Sequence, residues 1–412
     1  MSKLIWLIWD AASFYIVQKL FKEGAAKNLK KVEKIGGSAA VSLHEFNCQT
    51  PCALAVQFTG YRPAMFGIGG YYTPLYNEKG ERQLLYDLTF KNKKVGKEVL
   101  WNKKFIGNKS VSLGQIPYLP PNFQNISNID GFSELLYESK IFYSNEMEWY
   151  MENNYKVSFV NVFNKEFKVG IKNDDVLLES LENHEIIKIT KNINDKNDFW
   201  LDESSGFKFF VFTGEENKTL FFFSNVYRYN TKNIAVNCKF RKNIGVFFGV
   251  AYGRKYRGGV FGKPYYLGGE GYAEKIYMSF VLQVAKTFEK ISMFLLSNNN
   301  EITVAYQPCI DEVSHEFYGL WKNSHSDIKD YYWQLIKKAY DYADDHLGAI
   351  LKKMKKNDVI FITSDHGIYD VDKEFYINEF LCRKGYLKFA NDKIDYIKTL
   401  VYYHPCNSGA LY

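Results

Sequence analysis

The chain has 412 residues, 46% of them hydrophobic and 17% aromatic, which is enough to bury a large core in one domain with an insertion or in two domains. Its formal net charge of +7 comes without a concentrated basic run, so a nucleic-acid-binding protein is disfavoured and an anionic small substrate is favoured. The six cysteines are scattered, and no apolar run resembles a signal peptide or a membrane span, so we expect a cytoplasmic protein.

The first predicted strand is the continuous apolar run Leu4–Trp9, which ends in Asp10. A strand of this kind is typical of a sheet covered by helices, and such sheets bind ligands beyond the carboxyl ends of their strands. Asp10 is therefore a candidate site residue, although an aspartate there could also cap the helix predicted at residues 14–30. A second strand is predicted at residues 32–41.

A helix is predicted to begin at Thr50-Pro51 and to end at Gly60, because proline suits the first turn of a helix and glycine its end. Thr50 is predicted to be the N-cap of this helix. Free backbone N–H groups and the positive end of the helix dipole would there polarise a hydroxyl and bind a phosphate oxygen. The alternative is an ordinary threonine N-cap without a catalytic role.

The middle of the chain carries little recognisable chemistry. Between residues 155 and 229, Val, Ile, Phe and Tyr are separated by Asn, Asp, Lys and Gly, which is typical of short antiparallel strands. We therefore predict an inserted, β-rich cap or substrate-binding module at residues 101–274. The core would then consist of residues 1–100 and 275–412, with approximate boundaries.

The predicted core continues with a helix at residues 277–293 and a strand at residues 301–306. Asp311 and His315 follow this strand, so they lie at the same edge of the predicted sheet as Asp10. Residues 324–355 have apolar side chains at spacings of three and four, which predicts a long amphipathic helix.

The next predicted strand, at residues 359–362, is apolar on both faces, so we expect both of its faces to be buried. It is followed by Asp365 and His366, two different types of metal ligand side by side. The alternative is that Asp365 caps a turn and His366 is an ordinary loop residue. Near the end of the chain, His404 lies in a predicted loop a few residues before Gly409.

Residues 50–68 contain Thr-Pro, a helix that ends in Thr-Gly, then Pro and Gly-Ile, and this order resembles the nucleophile segment of the nucleotide pyrophosphatase/phosphodiesterases. That family belongs to the alkaline phosphatase superfamily. In it an aspartate ends the first strand, as Asp10 does, and Ser-Asp-His-Gly recurs downstream, as at residues 364–367. The matching motifs lie towards the two ends of the chain. Ser314 stands where the family usually has a glycine before the histidine that corresponds to His315.

The resemblance implies an α/β fold with a mainly parallel central sheet flanked by helices, as in alkaline phosphatase. It also implies two divalent metal ions and Thr50 as the nucleophile. Mixed His and Asp ligation suits zinc, and manganese remains possible. One metal would be held by Asp10, Thr50, Asp365 and His366, and the other by Asp311, His315 and His404.

These features predict a two-metal enzyme that cleaves a phosphodiester or phosphoanhydride bond of a nucleotide-linked substrate through a covalent phospho-Thr50 intermediate. One alternative, by analogy, is a cytoplasmic transferase that moves a nucleotide-activated phosphoryl or phosphoramidate group onto a sugar hydroxyl in capsular polysaccharide synthesis. A second alternative is a non-catalytic nucleotide- or carbohydrate-binding protein on the same scaffold. The expected partner is the nucleotide-linked substrate, joined in the transferase alternative by a sugar or polysaccharide acceptor. The sequence leaves open whether the chain is truncated after Tyr412.

Overall fold

The computed structural model describes residues 2–42, 49–76, 82–120, 124–191, 197–213, 218–391, 393–395 and 397–403. The α-helices in these ranges are α1 (Phe14–Lys22), α2 (Lys27–Ile35), α3 (Thr50–Thr59), α4 (Lys93–Glu98), α5 (Lys103–Ile106), α6 (Cys238–Ile244), α7 (Gly253–Arg257), α8 (Tyr272–Ser297), α9 (Cys309–Asn323), α10 (Ser326–Lys353) and α11 (Ile377–Arg383). None of these helices is both long and apolar enough to cross a bilayer.

The strands in the same ranges form one central sheet and several antiparallel sheets. They are β1 (Leu4–Trp9), β2 (Tyr72–Tyr76), β3 (Arg82–Leu88), β4 (Val111–Gly114), β5 (Ile126–Asp130), β6 (Leu135–Tyr137), β7 (Lys140–Tyr143), β8 (Tyr150–Glu152), β9 (Tyr155–Val162), β10 (Lys165–Lys172), β11 (Asp175–Ser180), β12 (Ile186–Thr190), β13 (Asp198–Trp200), β14 (Ser205–Thr213), β15 (Thr219–Phe223), β16 (Val226–Arg228), β17 (Asn230–Lys232), β18 (Ile302–Gln307), β19 (Val359–Ser364), β20 (Phe389–Ala390) and β21 (Lys393–Ile394).

The central sheet has the order β17-β5-β4-β18-β1-β19. All neighbouring strands in it are parallel except β17, which runs antiparallel to β5. Trp9 at the end of β1 is paired with Gln307 of β18 and with Ser364 of β19. The predicted fold class, a mainly parallel sheet flanked by helices with additional β-rich structure, is confirmed.

The apolar run of β1 forms a strand in the middle of the sheet because helices cover the sheet around it. Leu7 and Ile8 are fully buried. Phe58 of α3 packs edge-on against Trp6, with 5.7 Å between ring centroids. Helix α8 approaches β4 so closely that a Cβ at Gly114 would lie only 2.9 Å from Cδ1 of Leu295. A side chain at position 114 would therefore require Leu295 to shift.

The β-rich part consists of two antiparallel sheets, β12-β11-β10-β9-β8 and β6-β16-β14-β15-β7. Strand β14 lies between two hydrophobic clusters, with Phe209 in the cluster of the β-rich part and Phe210 in that of the central sheet. Phe210 packs edge-on against Phe280 of α8 at 5.0 Å. The β-rich part therefore has its own core and also rests on α8.

Strands β4, β5 and β17 lie within residues 101–274 but belong to the central sheet. The division of the chain into a core and an inserted module stays a prediction. We propose that the module spans residues 135–228, from β6 to β16, which is narrower than the predicted range.

Two predictions about strands are wrong. Residues 32–35 were expected in a strand but belong to α2, whose first turn donates the backbone N–H groups of Asn28 and Leu29 to the Asp344 carboxylate of α10. This carboxylate satisfies N–H groups that a helix start leaves free. Strand β19 exists as predicted but is not buried on both faces, because Val359 is 58% and Phe361 53% exposed. Among the described strands, β19 is an edge strand that pairs with β1.

A buried histidine on α10 connects this helix to the central sheet. His346 is fully buried, and its Nδ1 atom accepts a hydrogen bond from Nε2 of Gln307, the last residue of β18, at 3.1 Å. Burial lowers the pKa of His346 to about 3. The folded protein thus holds His346 neutral at pH values at which the unfolded chain binds a proton.

We expect acid to destabilise the fold through His346. Between the unfolded pKa near 6.5 and the folded value near 3, the unfolded state binds the extra proton, so stability falls as the pH falls. Between pH 7 and pH 5, the free energy of unfolding of the wild-type protein should fall by about 2 kcal/mol more than that of His346→Gln. Urea unfolding at pH 7 and pH 5 measures it, with His325→Gln, at the exposed start of the same helix, as the control. Equal pH dependence in wild type and His346→Gln would contradict this role.

Candidate metal centre

Two buried aspartates lie side by side at the carboxyl edge of the central sheet. Asp10 follows β1 directly and Asp365 follows β19, and the parallel register that pairs Trp9 with Ser364 brings the two residues together. Asp10 is 5% and Asp365 2% exposed. Together with His366 they each offer one ligand atom, and the three atoms lie within 4.8 Å of one another.

Each of these carboxylates is held through one oxygen only. Oδ2 of Asp10 accepts a hydrogen bond from the hydroxyl of Tyr306 on β18. Oδ1 of Asp365 accepts from the backbone N–H groups of Ala11 at 3.1 Å and His366 at 2.9 Å. The other oxygens, Oδ1 of Asp10 and Oδ2 of Asp365, are buried without a hydrogen-bond partner among the described residues.

The His366 ring presents its Nε2 atom to these two oxygens. Nδ1 lies 3.0 Å from the carbonyl oxygen of Gly367, and because a carbonyl only accepts, Nδ1 carries a proton. In the neutral ring, Nε2 therefore has a free lone pair. It lies 3.3 Å from Oδ1 of Asp10 and 3.6 Å from Oδ2 of Asp365. A backbone carbonyl on the far nitrogen is the usual support of a metal-binding histidine.

Thr50 completes the cluster from the start of α3. It was predicted as the N-cap, but that position belongs to Gln49, whose carbonyl accepts from the N–H groups of Cys52 and Ala53. Thr50 is the first helical residue, and no side-chain hydrogen bond caps this helix. Its hydroxyl oxygen instead lies 3.2 Å from Nε2 of His366. The predicted end of the helix at Gly60 is confirmed, with φ at 73°.

The electrostatics of the cluster favour a bound cation. Burial raises the pKa of Asp10 well above its usual value, and the charges of Asp365 and Asp311 raise it further. Burial also raises the pKa of Asp365. Two close buried carboxylates are unfavourable when both are charged, and a cation between them removes this cost.

The spacing of the ligand atoms also fits a metal ion. Zinc ligands at about 2.0–2.2 Å in a tetrahedron lie roughly 3.4 Å from one another. Nε2 of His366 lies 3.2, 3.3 and 3.6 Å from the nearest oxygens of Thr50, Asp10 and Asp365. The residues present therefore fit a divalent ion with nitrogen and oxygen ligands.

The second predicted group of ligands is only partly described. Asp311 and His315 lie one turn apart on α9, directly after β18, with 3.2 Å between Oδ1 and Nε2. Because the charge of Asp311 raises the pKa of Asp10, the two groups interact across the sheet edge. The third predicted ligand, His404, lies outside the described residues.

Three residues that contact the cluster were not predicted. Tyr306 binds Asp10, and Tyr71 donates its hydroxyl to Oγ1 of Thr50 at 3.2 Å. Gln57 on α3 donates its side-chain amide to the carbonyl of Ser364. The spacing of seven residues between Gln57 and Thr50, two helical turns, indicates a shared face. No local pattern distinguishes the two tyrosines from the other 30 in the chain.

A comparison with known protein families gives a match. The family model described as Type I phosphodiesterase / nucleotide pyrophosphatase matches residues 4–408, nearly the whole chain. This confirms the resemblance found in residues 50–68 and 364–367. No curated protein and no solved structure matches the chain.

We expect Zn²⁺ to stabilise the chelator-treated protein against unfolding, because it binds the folded carboxylate pair and not the unfolded chain. At zinc about 100 times above its dissociation constant the gain should be about 2.7 kcal/mol. Asp365→Asn should lose most of this gain, whereas Asp327→Asn, an exposed position at the start of α10, should keep it. Thermal unfolding with and without zinc measures the difference. An equal gain in Asp365→Asn would place zinc binding elsewhere.

Proposed function

The chain belongs to the type I phosphodiesterase / nucleotide pyrophosphatase family of the alkaline phosphatase superfamily, and on this basis we propose that it cleaves a nucleotide-linked phosphodiester or phosphoanhydride through a covalent bond to Thr50. The membership itself indicates an enzyme that acts on phosphoryl groups. The role of Thr50, the metal ions and the substrate are the parts that we propose.

The observation that carries the proposal is the position of the Thr50 hydroxyl. Its oxygen lies next to Nε2 of His366. The same nitrogen lies close to the two carboxylate oxygens that lack hydrogen-bond partners among the described residues. Thr50 is also the first residue of α3, at the positive end of the helix dipole. The helix dipole favours the negatively charged form of the Thr50 oxygen, and the carboxylates would favour it through a cation bound between them and that oxygen.

We further propose that Asp10, Asp365, His366 and Thr50 hold one divalent ion, with zinc favoured by the nitrogen and oxygen ligands. Asp311 and His315 would hold a second ion together with His404. Bound dications would lower the pKa of the Thr50 hydroxyl and neutralise negative charge on the phosphoryl oxygens. The sheet edge and helices α3 and α9 position the described residues of both groups before any ion binds.

The proposed reaction consists of two successive displacements at the same phosphorus atom. The Thr50 hydroxyl gives up its proton to solvent, and its oxygen forms a bond to phosphorus while the bond to the leaving group breaks. The leaving group takes the bonding electron pair. In the second displacement a water oxygen attacks the same phosphorus, the bond to Thr50 breaks, and the Thr50 oxygen recovers a proton.

We expect Thr50→Ala to lower kcat at least about 1,000-fold, because no other hydroxyl replaces the nucleophile. Thr50→Ser should retain more activity than Thr50→Ala, since it keeps the oxygen. Turnover of a nucleoside p-nitrophenyl phosphodiester measures both variants, with zinc content and thermal unfolding as controls for the site and the fold. Turnover of Thr50→Ala near the wild-type rate, with metal still bound, would contradict the covalent route.

We expect water to be the acceptor in the second displacement. Incubation with a nucleoside diphosphate sugar in ¹⁸O-labelled water should give a nucleotide product with one ¹⁸O atom, and adding a free sugar should not change its amount. Mass spectrometry of the products distinguishes this from transfer. Transfer of the nucleotidyl group to the added free sugar, in place of the labelled nucleotide, would assign the protein to the transferases.

A further inference from the structure

The hydroxyl of Tyr71 is the second polar group that contacts the Thr50 oxygen. It donates a hydrogen bond to Oγ1 of Thr50 at 3.2 Å. Because Nδ1 of His366 carries the ring proton, Nε2 can only accept, so in the metal-free protein the three groups form the chain Tyr71–Thr50–His366. The Tyr71 proton therefore points at the atom that the proposed function makes the nucleophile.

Contacts on both sides fix the position of Tyr71. Its carbonyl oxygen accepts a hydrogen bond from the backbone N–H of Thr89 at 2.9 Å. Its ring packs edge-on against Phe90, with 6.0 Å between centroids and 86° between planes. Phe90 in turn contacts the ring of Tyr118, whose hydroxyl donates to the carbonyl of Pro51 at 2.8 Å. Tyr71 and the first turn of α3 are thus held by the same group of side chains.

We propose that Tyr71 is a catalytic residue that stabilises the Thr50 oxygen as the leaving group of the second displacement, an inference that rests on the proposed function. In that step the attacking water oxygen forms a bond to phosphorus, and the bond from phosphorus to Oγ1 breaks. The electron pair goes to Oγ1, so negative charge accumulates on the atom that faces the Tyr71 hydroxyl. Tyr71 keeps its proton throughout, and its hydrogen bond becomes stronger as the charge develops.

The two displacements depend on this hydrogen bond in opposite ways. During the first, negative charge leaves the Thr50 oxygen for the phosphoryl group, so a donor on that oxygen gives little help. During the second, the charge returns, and the donor lowers the barrier. Loss of the donor should therefore slow breakdown of the covalent adduct more than its formation.

The test is Tyr71→Phe, which removes the hydroxyl and keeps the ring that packs on Phe90. With a nucleoside p-nitrophenyl phosphodiester as substrate, kcat should fall about 100- to 1,000-fold, the effect of one lost donor at a developing oxyanion. The initial burst of p-nitrophenol should remain fast. The nucleotidyl adduct on Thr50 should accumulate, seen by mass spectrometry of acid-quenched protein as an increase by one nucleotide.

Tyr61→Phe is the matched control, because Tyr61 is 42% exposed and its ring packs edge-on against Phe66. Its kcat, its initial burst of p-nitrophenol and its amount of adduct should equal those of the wild-type protein. A Tyr71→Phe protein with a slow burst and no accumulated adduct would show that Tyr71 only positions Thr50, and wild-type kinetics would show no role. Either result overturns the inference.

Thr50→Ala, assayed in parallel, separates this inference from the proposed function. If Thr50→Ala turns over at the wild-type rate, the covalent route itself fails. If Thr50→Ala is inactive and Tyr71→Phe behaves as wild type, only the role of Tyr71 fails. Zinc content of both variants, measured by elemental analysis, excludes loss of metal as the cause of either result.

Discussion

The site depends on the close approach of two buried carboxylates, Asp10 and Asp365, around one nitrogen of His366. Each carboxylate is fixed through one oxygen, and the other oxygen has no hydrogen-bond partner among the described residues. Burial raises the pKa of both groups, the charge of Asp365 raises the pKa of Asp10 further, and the charged pair is costly without a positive charge. This cost supports the proposed cation site, because groups with perturbed pKa values cluster at functional sites.

The parallel sheet holds this arrangement in place. Strands β1, β18 and β19 end at the same level, so residues that are distant in sequence lie side by side at one edge. A hydrogen bond from Gln57 joins α3 to the end of β19, and a hydrogen bond from Tyr306 on β18 holds Asp10. Because these supports lie on regular elements, the Thr50 oxygen is positioned before any substrate binds. Preorganisation of this kind lowers the cost of reaching a transition state.

The β-rich part is joined to the site through α8. Its strand β14 rests on α8 through Phe210 and Phe280. On the same helix, the Tyr277 hydroxyl donates to the carbonyl of Glu312 on α9 at 2.6 Å, next to Asp311. Aromatic packing between the two hydrophobic clusters thus connects the module to the helix that carries Asp311 and His315.

The sequence by itself determined the elements and the chemistry that each can supply. Runs such as Leu4–Trp9, the spacing along α10 and the order of Thr-Pro, Thr-Gly and Asp-His are local signals, and they indicated the fold class and the residues of the cluster. Only the tertiary structure decided that β19 is exposed, that Gln49 caps α3 and that Tyr71 and Tyr306 contact the site. These contacts depend on strand register and side-chain packing between distant segments, which no local pattern encodes.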